Sequence, residues 1–142
     1  MSVAKGDRTE SKVEFENTYF KVYEDAVRLT THSFGAKEEL KQTYSQYIQV
    51  MAKEVLTTIC DMGRYIRIAN AIYPVSREEY EQRRISQEKA IGLCFDLLTK
   101  YQLVMKVLKV NDNKYVEEIK HIRHEINCLK KWRTSDNKRY KF

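Results

Sequence analysis

The sequence predicts an all-α protein, and specifically an up-down-up-down antiparallel four-helix bundle. The 142 residues include one proline and four glycines, and 32% of them are charged, which suits long helices better than a turn-rich β fold. Apolar residues recur every three or four positions, a spacing that places them on one face of a helix. The segments with this pattern are joined by short connections, which make successive helices antiparallel.

The first helix is expected to begin near Val13 and to end at about residues 33–35, where Gly35 can adopt the left-handed closing conformation. Its apolar residues alternate by spacings of four and three: Phe15, Tyr19, Val22, Ala26 and Leu29. Residues 1–12 are small, polar and charged without periodicity, so we expect a disordered leader. The bundle itself is predicted to span residues 13–133.

The second helix is expected to be long, running from Glu38 to about Tyr73, where Pro74 ends it. Its apolar positions are Leu40, Tyr44, Tyr47, Met51, Val55, Ile59, Met62, Ile66 and Ala69. Gly63 lies inside this helix and costs about 1 kcal/mol relative to alanine. We therefore expect a close helix contact or a bend at Gly63.

The third helix is expected to start at Arg77, because Ser76 and Glu79 have the spacing of a capping box. Its apolar residues form two adjacent seams, which predicts contact with more than one neighbour. The seams are Ala90, Cys94, Leu97, Tyr101, Val104 and Leu108, and Ile91, Phe95, Leu98 and Met105. A fourth helix is predicted from a cap at Asn111 or Asp112 to about Arg133, followed by a basic tail over residues 134–142.

The overall composition favours a cytoplasmic protein with an anionic partner. The formal net charge is +6 and the sequence pI is about 9.2, which favours nucleic acid or another polyanion. No apolar run approaches the roughly 20 residues that span a bilayer, and no apolar signal core is present. Cys60, Cys94 and Cys128 are odd in number and widely spaced, so we expect reduced thiols in the core.

We expect neither catalysis nor a bound cofactor. The sequence lacks the glycine-rich phosphate and dinucleotide loops, the nucleophile elbow and the zinc-protease motif. His121, His124 and Cys128 lie at intervals of three and four on one helical face, and each could ligate a transition metal. A structural zinc site needs a fourth ligand, and the sequence nominates none, so no metal is predicted.

The basic residues predict a nucleic-acid-binding pole. Cations near the end of helix two, the start of helix three and the end of helix four should gather at one end of an antiparallel bundle. The predicted nucleic-acid-binding residues are Arg64, Arg67, Arg83, Arg84, Lys130, Lys131, Arg133, Lys138 and Arg139. RNA is the first expected partner and DNA the second, while aromatic residues in the tail could stack on bases. Cations that complement helix dipoles and maintain solubility are the competing explanation.

A second hypothesis assigns the chain a purely structural role. The chain contains ten tyrosines, and tyrosine is enriched at protein interfaces. Several line or border the hairpin of helices two and three: Tyr44, Tyr47, Tyr65, Tyr73 and Tyr80. A scaffolding bundle that binds a protein through this hairpin would use its charge only for solubility.

Parts of the chain resemble a known group of four-helix proteins. The stretches 23–29 and 34–37 are similar to the opening of proteins related to the ribosomal-RNA intervening-sequence protein, although the proline of the usual Phe-Pro-Lys is absent here. The second half resembles the accessory variability determinant of diversity-generating retroelements. That resemblance rests on 84–90, 108–111, Tyr115, Ile119, Ile122 and 128–135, with Trp132 before the basic tail.

The resemblance implies a function that the residues alone do not. It implies a pentameric barrel of non-catalytic four-helix protomers that binds nucleic acid and a reverse transcriptase. The partnership would support mutagenic copying of a template RNA into complementary DNA and its retrohoming. Lys130 and Ile126 occupy the positions, two and six residues before Trp132, where this family often has glycine.

Overall fold

The computed structural model describes residues 14–142, and all of its regular secondary structure is helical. The helices are α1 (Glu14–Thr31), α2 (Glu38–Thr43), α3 (Ser45–Ala71), α4 (Arg77–Leu108) and α5 (Val116–Arg139). Short 3-10 turns at Ser33–Gly35 and Asp112–Tyr115 precede α2 and α5. The predicted all-α class is confirmed, while the predicted leader and Val13 lie outside the described residues.

The four long helices α1, α3, α4 and α5 pack around one core. α3 packs along α4, α4 along α5, α5 along α1, and α1 along α3, so each long helix has two neighbours. The largest fully buried apolar side chains are Tyr101, Tyr115, Phe34, Ile59, Met62, Leu97, Leu108, Ile122 and Leu129. Within residues 14–142, no helix is long and apolar enough to cross a membrane.

The predicted second helix is divided into α2 and α3 at Tyr44. The backbone of Tyr44 departs from helical geometry, with φ −108° and ψ 28°. Backbone hydrogen bonds continue on both sides, from the Tyr44 amide to the Leu40 carbonyl and from the Ile48 amide to the Tyr44 carbonyl. The division is therefore a kink between two hydrogen-bonded segments, and α2 contributes no fully buried residue.

Gly63 allows α1 to approach α3 closely. The Tyr19 hydroxyl donates a hydrogen bond to the Ile59 carbonyl at 2.8 Å, and the hydroxyl end of its side chain lies where a β-carbon of residue 63 would be. A β-carbon at position 63 would lie 2.5 Å from the Tyr19 Cζ atom. The sequence left a close contact and a bend as alternatives, and the structure has the close contact.

Both ends of α4 have well-defined caps. The Ser76 hydroxyl accepts a hydrogen bond from the Glu79 amide at 3.3 Å, as predicted. The Glu79 carboxylate accepts one from the Val75 amide at 3.0 Å. At the other end Lys109 adopts the left-handed conformation, with φ 55°, and the Val110 amide donates to the Met105 carbonyl, which satisfies a carbonyl of the last turn.

α5 continues to Arg139 rather than ending near Arg133. The reason is Asp136, which is 3% exposed and forms a salt bridge with Arg83 of α4 at 2.7 Å. This buried ion pair holds the last turns of α5 against α4. The first part of the predicted tail is therefore helical, and only the last three residues follow the helix.

The cysteines differ in part from the prediction. All three are free, but only Cys94 and Cys128 are buried, whereas Cys60 is exposed on α3. The expectation that Cys60 lies in the core was therefore wrong. Its neighbour Ile59 fills the core position, because adjacent residues of a helix point about 100° apart.

Candidate polyanion-binding surface

One outward face of α5 forms a shallow groove with a volume of about 490 Å³. We call this surface the α5 groove. Its lining residues are His124, Asn127, Lys130, Lys131, Thr134, Ser135 and Lys138. None of them is acidic, so ammonium groups, hydroxyls and an amide lie together, although the Glu14 carboxylate of α1 contacts His124 at one end. This is a donor-rich surface that suits phosphate oxygens.

Helical periodicity explains the position of the groove. His124, Asn127, Lys131, Thr134 and Lys138 follow one another at spacings of three and four, which places them in one row on α5. The inward face of the same helix is buried, at Ile122, Ile126, Leu129 and Asp136. Packing of this inward face fixes the rotation of α5 and so directs the groove residues toward solvent.

The cationic end of α5 is anchored by a buried polar network. Arg83 donates to the Asp136 carboxylate through Nε at 2.7 Å and through Nη2 at 3.0 Å. Gln87 donates to the same carboxylate at 2.8 Å, and Arg83 Nη1 reaches the Ile72 carbonyl at 2.8 Å. The network joins α4, α5 and the end of α3. The last turns of α5, which carry Lys138, are therefore held against α4.

The structure corrects the prediction that Arg83 binds nucleic acid. Its side chain is 3% exposed, and its guanidinium is occupied by Asp136 and Ile72. The guanidinium also lies over the rings of Trp132 and Tyr140, at 5.0 and 5.8 Å from their centroids. Arg83 is a structural residue that holds the C-terminal turns of α5 in place.

Three other predicted arginines have acidic neighbours. Arg64 pairs with Asp61 at 3.3 Å, and Arg84 pairs with Glu88 at 3.3 Å. Arg133 lies 3.9 Å from the same Glu88 carboxylate. These pairs are at least partly solvent-exposed and therefore weak, so the cations stay available, although their local charge is partly neutralised.

The remaining predicted cations are exposed. Lys130, Lys131 and Lys138 line the α5 groove, and Arg139 lies over the Tyr140 ring at 6.0 Å. Arg67 is exposed on α3, beside the Tyr19 phenol. Burial raises the pKa of that phenol to about 12, with Arg67 acting in the opposite direction. The groove therefore brings together three of the nine predicted residues.

Aromatic residues of the C-terminal segment pack within the protein. Trp132 stacks on Phe15, with ring centroids 4.3 Å apart and an interplanar angle of 5°. Tyr140 and Phe142 stack on each other at 6.2 Å, and both contact Tyr80. The idea that the tail offers free ring faces for base stacking is thus wrong for Trp132, which stacks on Phe15.

Phe95 supplies an aromatic face that the sequence did not nominate. It was assigned to a core seam of the third helix, yet it is 47% exposed. The Lys130 ammonium lies 5.6 Å from its ring centroid, so the ring lies beside one of the groove lysines. Proteins that bind single-stranded nucleic acids combine cations with exposed aromatic rings in this way.

The histidines that were considered as metal ligands separate into two environments. His121 Nδ1 lies 2.6 Å from the Asp25 carboxylate of α1. His124 Nε2 instead lies 2.8 Å from the Glu14 carboxylate and 3.6 Å from Cys128 Sγ. The predicted face of His121, His124 and Cys128 is therefore not one cluster, because α1 supplies a different carboxylate to each histidine.

Asn127, Thr134 and Ser135 are candidate site residues that the sequence reasoning missed. Their signal was present in the spacing, since Asn127 and Thr134 alternate with Lys131 and Lys138 along one helical row. Uncharged polar residues are common on any helix surface, so neither charge nor aromatic content distinguishes them. Their contribution to phosphate binding depends on the lysines beside them.

Comparisons with known proteins add no relative to this description. No protein-family model matches the chain, and neither a curated protein nor a solved structure matches it.

Proposed function

We propose that this protein is a non-catalytic helical accessory protein that binds RNA, and DNA as well, through the α5 groove. The observation that carries the proposal is the groove itself. It holds Lys130, Lys131 and Lys138 with no acidic residue among its lining side chains. Such a surface favours a phosphate backbone over a neutral or cationic partner.

The arrangement favours contact with a chain of phosphates rather than with one phosphate. Lys131 and Lys138 are two turns apart, which is about 10 Å along a helix axis. Two ammonium groups at that separation reach different phosphates of one strand. Thr134 lies between them and offers a hydroxyl donor, and Phe95 offers a ring face beside Lys130. These contacts are independent of base sequence, so we expect broad specificity and strong salt dependence.

Two finer parts of the proposal rest on the sequence patterns: an up-down-up-down protomer, from the short connections, and a cytoplasmic location, from the composition. The pentameric barrel and a partner reverse transcriptase that copies template RNA during mutagenic retrohoming rest on the resemblance. Self-association has one independent support, which is an exposed apolar row on α1. Phe20, Tyr23 and Val27 are 58%, 39% and 39% exposed, and a row of this kind is typical of surfaces that bind another protein.

The RNA-binding proposal is tested by fluorescence anisotropy with a labelled structured RNA, at several salt concentrations. We expect tight binding at low salt that weakens steeply as salt increases. Phe95→Ala should weaken binding to single-stranded RNA by about 1 to 3 kcal/mol if a base stacks on the ring. Wild-type protein that shows no affinity for RNA or DNA at low salt would refute the proposal.

The retroelement role needs a separate assay. A reverse transcriptase from a diversity-generating retroelement is incubated with its template RNA, with and without this protein, and the complementary DNA is sequenced. The proposal predicts more complementary DNA when the protein is present. If the protein binds RNA but does not change the yield of complementary DNA from this reverse transcriptase, the retroelement role is refuted and the RNA-binding role remains.

A further inference from the structure

A carboxylate, an imidazole and a thiol meet where the first turn of α1 crosses α5. They belong to Glu14, His124 and Cys128, and their ligand atoms all lie within 4.8 Å of one another. His124 Nε2 contacts both partners, at 2.8 Å from Glu14 Oε1 and 3.6 Å from Cys128 Sγ. The same imidazole nitrogen therefore faces both other groups.

The separation of His124 Nε2 and Cys128 Sγ is close to that of two ligands in a tetrahedral zinc site. With Zn–N of about 2.0 Å and Zn–S of about 2.3 Å, a tetrahedral angle places nitrogen and sulfur about 3.5 Å apart. His124 Nε2 and Cys128 Sγ are 3.6 Å apart. Oxygen and nitrogen ligands would be about 3.4 Å apart. Glu14 needs only a small withdrawal to reach that value, and its side chain is 45% exposed.

We propose that Glu14, His124 and Cys128 bind a zinc ion, with a water molecule in the fourth position. Thiolate and imidazole ligands favour zinc over magnesium or calcium, which prefer oxygen ligands. The His124 side chain is 49% exposed, so the open position faces solvent. Because the ligands come from two helices, the ion would fasten the first turn of α1 to α5.

Zinc binding would release the proton of the Cys128 thiol and form the thiolate. The affinity for zinc should therefore fall as the pH is lowered, because protons compete with the ion for the sulfur and for the imidazole nitrogen.

The test uses the full chain after treatment with a chelator, and cobalt(II) as a spectroscopic substitute for zinc. Cobalt should produce a thiolate-to-metal charge-transfer band that saturates at one ion per chain and is removed by zinc. Cys128→Ser should abolish the band, and His124→Ala should weaken cobalt binding at least tenfold. Cys60→Ser and His121→Ala are the matched controls, and both should keep the band.

The result does not depend on how well the Cys128 variant folds. His124 is half-exposed, so His124→Ala should keep the wild-type helical content by circular dichroism. Zinc should raise the melting temperature of wild type and of Cys60→Ser, but not that of His124→Ala. A wild-type protein without a thiolate band, or a Cys128→Ser variant that retains it, would overturn the proposal.

Discussion

Replacing Asp136 by alanine should destabilise the protein far more than removing any exposed charge. The Asp136 carboxylate accepts three hydrogen bonds, two from Arg83 and one from Gln87. The substitution leaves the Arg83 guanidinium buried at 3% exposure without its counter-ion. It also leaves the Gln87 amide without its acceptor, so three buried N–H donors lose their hydrogen-bond partner.

The expected loss is about 3 to 4 kcal/mol. Removing one partner of a buried ion pair typically costs about 3 to 5 kcal/mol. The lower part of that range applies because Arg83 keeps the Ile72 carbonyl and its contacts with two aromatic rings. Alanine is itself a good helix former, so backbone propensity adds no cost.

The assay is urea unfolding followed by circular dichroism at one fixed protein concentration. Glu88→Ala is the matched control, because it removes the acidic neighbour of Arg84 and Arg133 at the protein surface. This control should cost no more than about 1 kcal/mol. The double variant Arg83→Met with Asp136→Leu should recover part of the stability, since an apolar pair removes both buried charges, while the Gln87 amide and the Ile72 carbonyl remain without these partners.

A loss below about 1 kcal/mol for Asp136→Ala would refute this reasoning. That result would mean that the last turns of α5 separate from α4 easily, so that Arg83 reaches water when its partner is lost. A double variant no more stable than Asp136→Ala would contradict the second step. It would show that the loss comes from packing or from the Gln87 hydrogen bond rather than from an unpaired charge.

Two further substitutions test the core. Gly63→Ala should destabilise the protein by about 1 to 2 kcal/mol, because overpacking against Tyr19 outweighs the gain in helix propensity. In a Tyr19→Ala background the same change should be neutral or stabilising, and a loss of stability in both backgrounds would contradict the Tyr19–Gly63 contact. Glu125→Met, measured in the presence of a metal chelator, should stabilise the protein by about 1 to 3 kcal/mol. Glu125 is fully buried, and its oxygens have no hydrogen-bond partner among residues 14–142; burial first and Glu14 second raise its pKa to about 9. A less stable Glu125→Met variant would show that the carboxyl group has a partner.

The positions of the helices were predictable because their signals are local. The four-three spacing of apolar residues located all four long helices, and the capping box at Ser76 fixed the start of α4. The kink at Tyr44 was missed, because Leu40, Tyr44 and Tyr47 continue the helical spacing through it. A change of backbone angles at one residue does not alter the spacing of the apolar residues.

The end of α5 was missed because it depends on a distant contact. Residues 133–139 lack an apolar row, so spacing alone ended the helix at Arg133. What extends it is Asp136 with Arg83, a pair separated by 53 residues in the chain. The assignment of Arg83 to a nucleic-acid surface was wrong for the same reason, since the sequence shows the charge but not its partner.

The α5 groove could be predicted in part. Lys130, Lys131 and Lys138 were chosen from the density of cations, and helical spacing would have added Asn127 and Thr134. Phe95 could not be found in this way, because its exposure depends on how α4 is rotated between α3 and α5. The grouping of Glu14 with His124 and Cys128 likewise requires the packing of α1 on α5.

The central claim is that the α5 groove is the surface that contacts RNA. The most direct test compares two triple variants with the same loss of charge, across a salt series of RNA binding. One variant changes the groove lysines Lys130, Lys131 and Lys138 to glutamine. The control changes three exposed lysines to glutamine at the opposite end of the protein, near the start of α2, the end of α4 and the start of α5. They are Lys37, Lys106 and Lys114.

The account predicts that the groove variant loses about 2 to 3 units from the slope of log affinity against log salt, at about 0.7 to 0.9 unit for each lost phosphate contact. The control variant should lose less than about one unit. Equal losses in the two variants would contradict the account, because RNA would then respond to net charge rather than to the α5 groove.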